Sequence, residues 1–183
     1  TAAGQESLGA GAVLITGGTV SGAFQGVNNT SNGTVTISGG EIISAGKNNG
    51  DYPVAGVRND SDGGAISISG GTISCACEEK NGYGVYNAST NTVEISGATI
   101  TSEKHYGISN VSSIGTVNIS GNASSIYGGD VGIYNYRAGT VNISGTGSTI
   151  NGGNQGKKIS SIYNYGSGTV SISGEGTSIY GER

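Results

Sequence analysis

The chain has 183 residues, of which 37 are Gly, 33% are hydrophobic and 11% are charged, with a formal net charge of −4. Typical domains carry about 7% Gly and about 25% charged residues, but Gly follows no three-residue period here and Pro occurs once, which excludes collagen. The small charge argues against charge-driven disorder, no apolar run reaches the ~20 residues of a membrane helix, and no basic cluster could neutralise nucleic-acid phosphates.

The first element in chain order is Val13-Leu14-Ile15-Thr16-Gly17, where apolar and polar residues alternate as on a strand with one buried face. Val20 then marks a second short strand, and Gly26-Val27-Asn28-Asn29 a third. After a polar turn the first element returns as Val35-Thr36-Ile37-Ser38-Gly39, followed by Ile42 and Gly56-Val57-Arg58-Asn59. The triplet recurs as Ile66–Ile68, Ile73 and Val85, as Val93–Ile95, Ile100 and Ile108, as Val117–Ile119, Ile126 and Ile133, and as Val141–Ile143, Ile150 and Ile162. The seventh copy, Val170–Ile172 with Ile179, lacks a third strand. Central Ile residues are spaced by 22, 31, 27, 24, 24 and 29 residues.

Three strands per repeat of this length describe one coil of a parallel β-helix. The expected fold is all-β: a right-handed, single-stranded parallel β-helix of about seven coils with three short strands each. The expected repeats are about 12–34, 35–65, 66–92, 93–116, 117–140, 141–169 and 170–183, in a single domain read as part of a longer protein with neighbouring coils or domains at its ends. A β-sandwich of hairpins fits less well, because the strands are alike and no Asn-Gly two-residue turn separates them.

Asn29, Asn59, Asn87, Asn110, Asn135 and Asn164 end the third strand of successive repeats. Side-chain amides stacked at coil spacing can hydrogen-bond along the column. Four of them, Asn29, Asn59, Asn87 and Asn110, also sit in N-x-Ser/Thr sequons, but Asn135-Tyr136-Arg137 does not, which favours the structural role. Cys75 and Cys77 stand two apart near the end of a second strand, where a bridge along an extended strand would be strained. They are read as small buried side chains.

The reiterated Gly-Thr-Val-x-Ile-Ser-Gly-Gly with Gly-Val-Tyr-Asn resembles the repetitive β-helix regions of bacterial cell-surface and secreted proteins in the pectin-lyase-like superfamily. The resemblance covers about residues 12 to 180. It implies the fold, and it leaves polysaccharide lyases, hydrolases, adhesins and glycan-binding modules all open.

Two features point to a site. Loop length varies between the second and third strands, and 11 of the 21 charged or His residues fall there, Lys104, His105 and Asp130 among them. Loops on a rigid scaffold carry function, and solvated charge is the plain alternative. Tyr86, Tyr134 and Tyr163 precede the Asn column, while Tyr136 and Tyr165 follow it. Such rows of half-exposed rings could stack on sugars, or on each other between coils.

Catalysis finds little support. Glycosidases pair two carboxylates about 5 to 9 Å apart, whereas Glu94 has Ser67 and Asn118 beside it in its column. No elbow motif accompanies His105, the only His. Asp60 and Asp62 with Asn59 form a weak Ca²⁺ pattern in a turn, and no metal or other cofactor is expected. The resulting expectation is a non-catalytic extracellular or cell-surface β-helix of a bacterial protein, adhesive or glycan-binding. Its partner would be a polysaccharide or host glycan, with neither nucleic acid nor membrane insertion. A polysaccharide lyase or glycoside hydrolase is the first alternative and a purely structural stalk the second.

Overall fold

A computed structural model describes residues 5–7, 11–47, 52–60, 63–78, 81–153 and 160–181. These residues contain strands and no helix, and therefore no helix long and apolar enough to cross a membrane. The strands form three seven-stranded sheets, and every pairing is parallel. The chain visits the three sheets in turn, so each sheet gains one strand per coil. The molecule is a β-solenoid with three strands per coil.

The first sheet holds the signature strands, from Val13–Ile15 and Val35–Ile37 to Thr169–Ile172. Its register pairs Val with Val or Ile and Ile with Ile in consecutive coils, as in Val93↔Val117 and Ile95↔Ile119. The second sheet runs from Thr19–Gly22 to Ser178–Gly181, with Val20, Ile42, Ile73, Ile100, Ile126, Ile150 and Ile179 in one row. Its loop to the signature strand lengthens by two residues after Ile119, and the row keeps its inward face because an even insertion preserves strand parity.

The third sheet starts earlier than the repeat pattern indicates. Gln5–Ser7 pairs with Gln25–Asn29, although Gln-Glu-Ser carries none of the Gly-Val-x-Asn signal. Each later copy puts its apolar residue inside and its Asn at the strand end, through Val54–Asn59, Gly82–Asn87, Tyr106–Asn110, Val131–Asn135 and Ser160–Asn164.

One continuous column of Val and Ile fills the interior, with most members fully buried. Burying such a side chain contributes roughly 1.5–3 kcal/mol, and no coil has enough of them to stand alone. In the last coil the burial fades: Ile172 and Ile179 are exposed.

Glycine is demanded at two kinds of place. Gly40 turns the chain between first and second strands at φ +90°, where a Cβ would also meet Gly18 O at 2.8 Å. In the third strand, a Cβ on Gly26, Gly56 or Gly84 would lie 2.5 Å from the Cγ2 of Ile42, Ile73 or Ile100. Ser161 replaces this glycine in the sixth copy, beside the exposed Ile179 that ends the row.

Cys75 and Cys77 form a disulfide, contrary to the expectation from strand parity. The reason is local: Thr72–Cys75 ends at Cys75, the chain bends, and the two Cα atoms stand 5.3 Å apart, within bridging range. The pair is buried as expected, packed with Val54.

Candidate functional site

The outer side of the third sheet carries most of the tyrosines. One outward row reads Asn28, Arg58, Tyr86, Ser109, Tyr134 and Tyr163 in register from coil to coil. The row precedes the Asn column, so its side chains point away from the core while the amides point inward.

Those amides form an unbroken ladder. Asn29 Nδ2 donates to Asn59 Oδ1 at 3.1 Å, Asn59 to Asn87 at 3.1 Å, Asn87 to Asn110 at 2.9 Å, Asn110 to Asn135 at 3.0 Å and Asn135 to Asn164 at 2.9 Å. The second amide proton of several members reaches a carbonyl in its own turn, as in Asn135 to Gly139 O at 2.9 Å and Asn164 to Gly168 O at 2.7 Å. Asn29, Asn59, Asn87 and Asn110 are fully buried. A glycan on any of these four sequon nitrogens would have no room and would sever the ladder.

Outside the ladder, seven of the ten tyrosines and His105 make one array of rings. Tyr134 and Tyr163 stack with centroids 5.5 Å apart and planes 5° apart, and Tyr136 and Tyr165 repeat this at 5.5 Å and 6°. Both separations follow from side chains one coil apart in register, close to the interstrand distance of about 4.8 Å. Tyr106 lies 4.5 Å from Tyr134, and His105 stacks on Tyr106 at 3.5 Å.

The rows expected to be exposed differ in depth. Tyr134 is buried at 8% exposure, packed with Tyr106 and Val131, while Tyr163 and Tyr86 are half-buried against Tyr134 and Tyr83. Tyr136 and Tyr165 are open, at 40% and 59%. The inner row therefore serves the stack between coils, and the outer row faces solvent. Burial pushes the phenols of Tyr83, Tyr86, Tyr106 and Tyr134 above the ordinary tyrosine range, Tyr106 to about 12.

The charged corner is also corrected in part. Lys104 is exposed, but His105 and Asp130 are not solvated loop residues. They stand at equivalent places on consecutive coils, directly before Tyr106–Asn110 and Val131–Asn135. His105 Nδ1 lies 3.1 Å from Asp130 Oδ2, with both groups buried beside the ring array. The pair braces two coils and offers no open surface. Further along the corner Lys47 and Glu78 form an exposed ion pair at 2.8 Å, whose hydrogen bond from Lys47 holds the Glu78 carboxyl below its usual range. Lys157 and Lys158 lie outside the described residues, as does Asp62 of the Ca²⁺ pattern. The Asp60 carboxylate is held at 2.9 Å by Arg58.

A cleft of about 490 Å³ opens at the other end of the third sheet, over the turns that follow its strands. Tyr86 and Tyr136 line it, with Arg137, Thr90, Ser113 and Ser112, whose buried hydroxyl accepts from Gly115 N–H at 2.8 Å. Ser109, between Tyr86 and Tyr134 in the row, is small enough to interrupt the wall of rings. Arg58 is the register partner of Tyr86 and Arg137 lines the same cleft, and both cations oppose the rise that burial gives its phenol. Arg137 makes no ion pair among the described residues. Glu94 accepts a hydrogen bond from Asn118 Nδ2 at 2.7 Å in the first sheet, and its register partners are Ser67 and Asn118.

Sequence reasoning missed Tyr83, Tyr106 and Arg137. Tyr83 and Tyr106 were legible, since both stand immediately before the third-strand glycine and pair in register. Arg137 carried no repeat signal: it occupies a turn, and only the coiling brings it beside Tyr86. No protein-family model, curated protein or solved structure matches the chain.

Proposed function

We propose that this β-solenoid is a non-catalytic module that binds a polysaccharide along the outer side of its third sheet. The reading rests on one observation: Tyr86 and Tyr136 line one cleft together with the hydroxyl-bearing Thr90 and Ser113 and with Arg137. Sugar rings present apolar C–H faces and polar rims, and they are held by stacking plus hydrogen bonds at the edge. With the repeat's resemblance to the pectin-lyase-like superfamily, this supports an extracellular or cell-surface setting and a bacterial origin, with adhesion as the biological outcome.

The test is a glycan array followed by calorimetry on Tyr136→Ala. Tyr136 is the suitable target because it is exposed, whereas Tyr134 is buried and its removal would disturb the stack. The expected loss is roughly three- to tenfold in affinity, the worth of one ring contact. Unchanged affinity removes this surface, and steady release of unsaturated or reducing ends from a bound polysaccharide replaces binding by cleavage.

A second reading, a structural stalk, is favoured by the Asn ladder and the stacked inner tyrosines, which stiffen the coil without any ligand. It predicts silence across the array.

A further inference from the structure

A second cleft, of about 280 Å³, lies where Phe24, Gln25, Asn28, Tyr52 and Arg58 meet. Phe24 is the single Phe of the chain and is exposed, as is Tyr52 at 63%. Such large exposed rings beside a cavity mark a contact surface. Asn28 and Arg58 are register partners in the outward row. Asn28 is buried, and its Oδ1 and the Nε of Arg58 take no hydrogen bond among the described residues. Orphaned buried polar atoms are rare and call for a partner. Elsewhere in the Arg58 head, Nη2 holds Asp60 at 2.9 Å, and Cζ lies 5.8 Å from the Tyr52 ring centroid.

We infer that this cleft is a second sugar-binding subsite, which takes a neutral ring of the same polysaccharide as the Tyr86–Tyr136 cleft. The chemistry selects the ligand class. One orphan is a donor and the other an acceptor, which suits hydroxyl groups, able to play either part, whereas a carboxylate would meet the Asn28 oxygen and the nearby Asp60. Phe24 and Tyr52 supply stacking faces. Arg58 is the register partner of Tyr86, which lines the other cleft. The two clefts therefore adjoin along the coil axis, about 5 Å of rise per coil, and a chain of linked rings can fill both.

The inference rests on the binding reading above, and the experiment separates the two. Short and long oligosaccharides cut from the polysaccharide that scores on the array are titrated calorimetrically into the wild type, Phe24→Ala and Tyr52→Ala. Both substitutions are at exposed positions, and circular dichroism checks that the fold is kept. The expected result is affinity that rises with oligosaccharide length in the wild type. Each variant loses about tenfold for the long form and nothing for the short form bound between Tyr86 and Tyr136. Affinity that is independent of length, or variants that bind the long form as the wild type does, overturns the second subsite alone. Silence across the array overturns the binding reading and the subsite with it.

Discussion

Asn87 Nδ2 donates to Asn110 Oδ1 at 2.9 Å, from one coil to the next, with both side chains fully buried. Asn110 passes the pattern on to Asn135 Oδ1 and also reaches Gly115 O at 3.3 Å. Replacing it by Ala strands one Asn87 amide proton and the Asn135 oxygen, while Gly115 O keeps its bond from the Thr140 N–H at 3.0 Å. Each unmatched buried group costs about 1–3 kcal/mol, partly relieved by relaxation. Asn110→Ala should destabilise the fold by roughly 3 kcal/mol, read as a lowered urea midpoint with unchanged slope. Asn164→Ala, at the exposed end of the ladder, should lose much less.

The His105–Asp130 pair makes a similar demand on two coils. His105→Ala leaves a carboxylate buried without its partner, which costs about 3 kcal/mol or more. Asp130→Asn keeps an oxygen for the imidazole and should cost visibly less. Thermal unfolding of the wild type and both variants at neutral pH measures these costs, and a His105→Ala variant as stable as the wild type would show that the pair contributes nothing.

The buried phenols fix a pH dependence. Burial raises the folded-state values of Tyr83, Tyr86, Tyr106 and Tyr134, Tyr106 to about 12, against about 10 for an unfolded tyrosine. A raised folded value means that the native state holds its proton more tightly. The stabilisation is therefore complete below about pH 10 and is lost as pH rises from about 10 towards 12, where the unfolded chain binds fewer protons than the native one. Unfolding midpoints should stay flat with respect to these groups up to about pH 10 and fall beyond it. Absorbance near 295 nm should resolve a slow class of tyrosines that ionises only with unfolding. A single titration at the ordinary tyrosine value would contradict this.

The third-strand glycines can be tested against each other. Gly84→Ala drives a Cβ to within 2.5 Å of Ile100 Cγ2 and 2.7 Å of Gly107 O. Overpacking of this kind costs about 1–3 kcal/mol. At Gly17 a Cβ meets nothing within 4 Å, so Gly17→Ala should be nearly silent. Urea titration of the two variants gives the contrast.

The alternation of Val and Ile with polar residues, and its return every 22 to 31 residues, carried the parallel solenoid, the core column and the inward Asn ladder in plain sight. These follow from period-2 geometry and from one repeating unit, both local properties of the chain. Gln5–Ser7 escaped because it pairs through backbone groups that no side-chain pattern announces. The Cys75–Cys77 bridge escaped because strand parity stops where the strand ends.

Outward residues obey a different logic. Tyr134 and Tyr136 look alike in sequence, yet only the packing of Tyr106 and Tyr163 around Tyr134 buries the first and leaves the second open. His105 and Asp130 read as candidate ligand-binding residues of a charged corner, and are a buried pair because coils of unequal loop length still close in register. Arg137 and Tyr86 are far apart along the chain and share a cleft. The residues by themselves determined the rung, since a strand's inner face follows from its own alternation. Only the stacked coil decided which outer groups meet, because exposure and contact depend on neighbours one turn away, whose distance the loops between them do not encode.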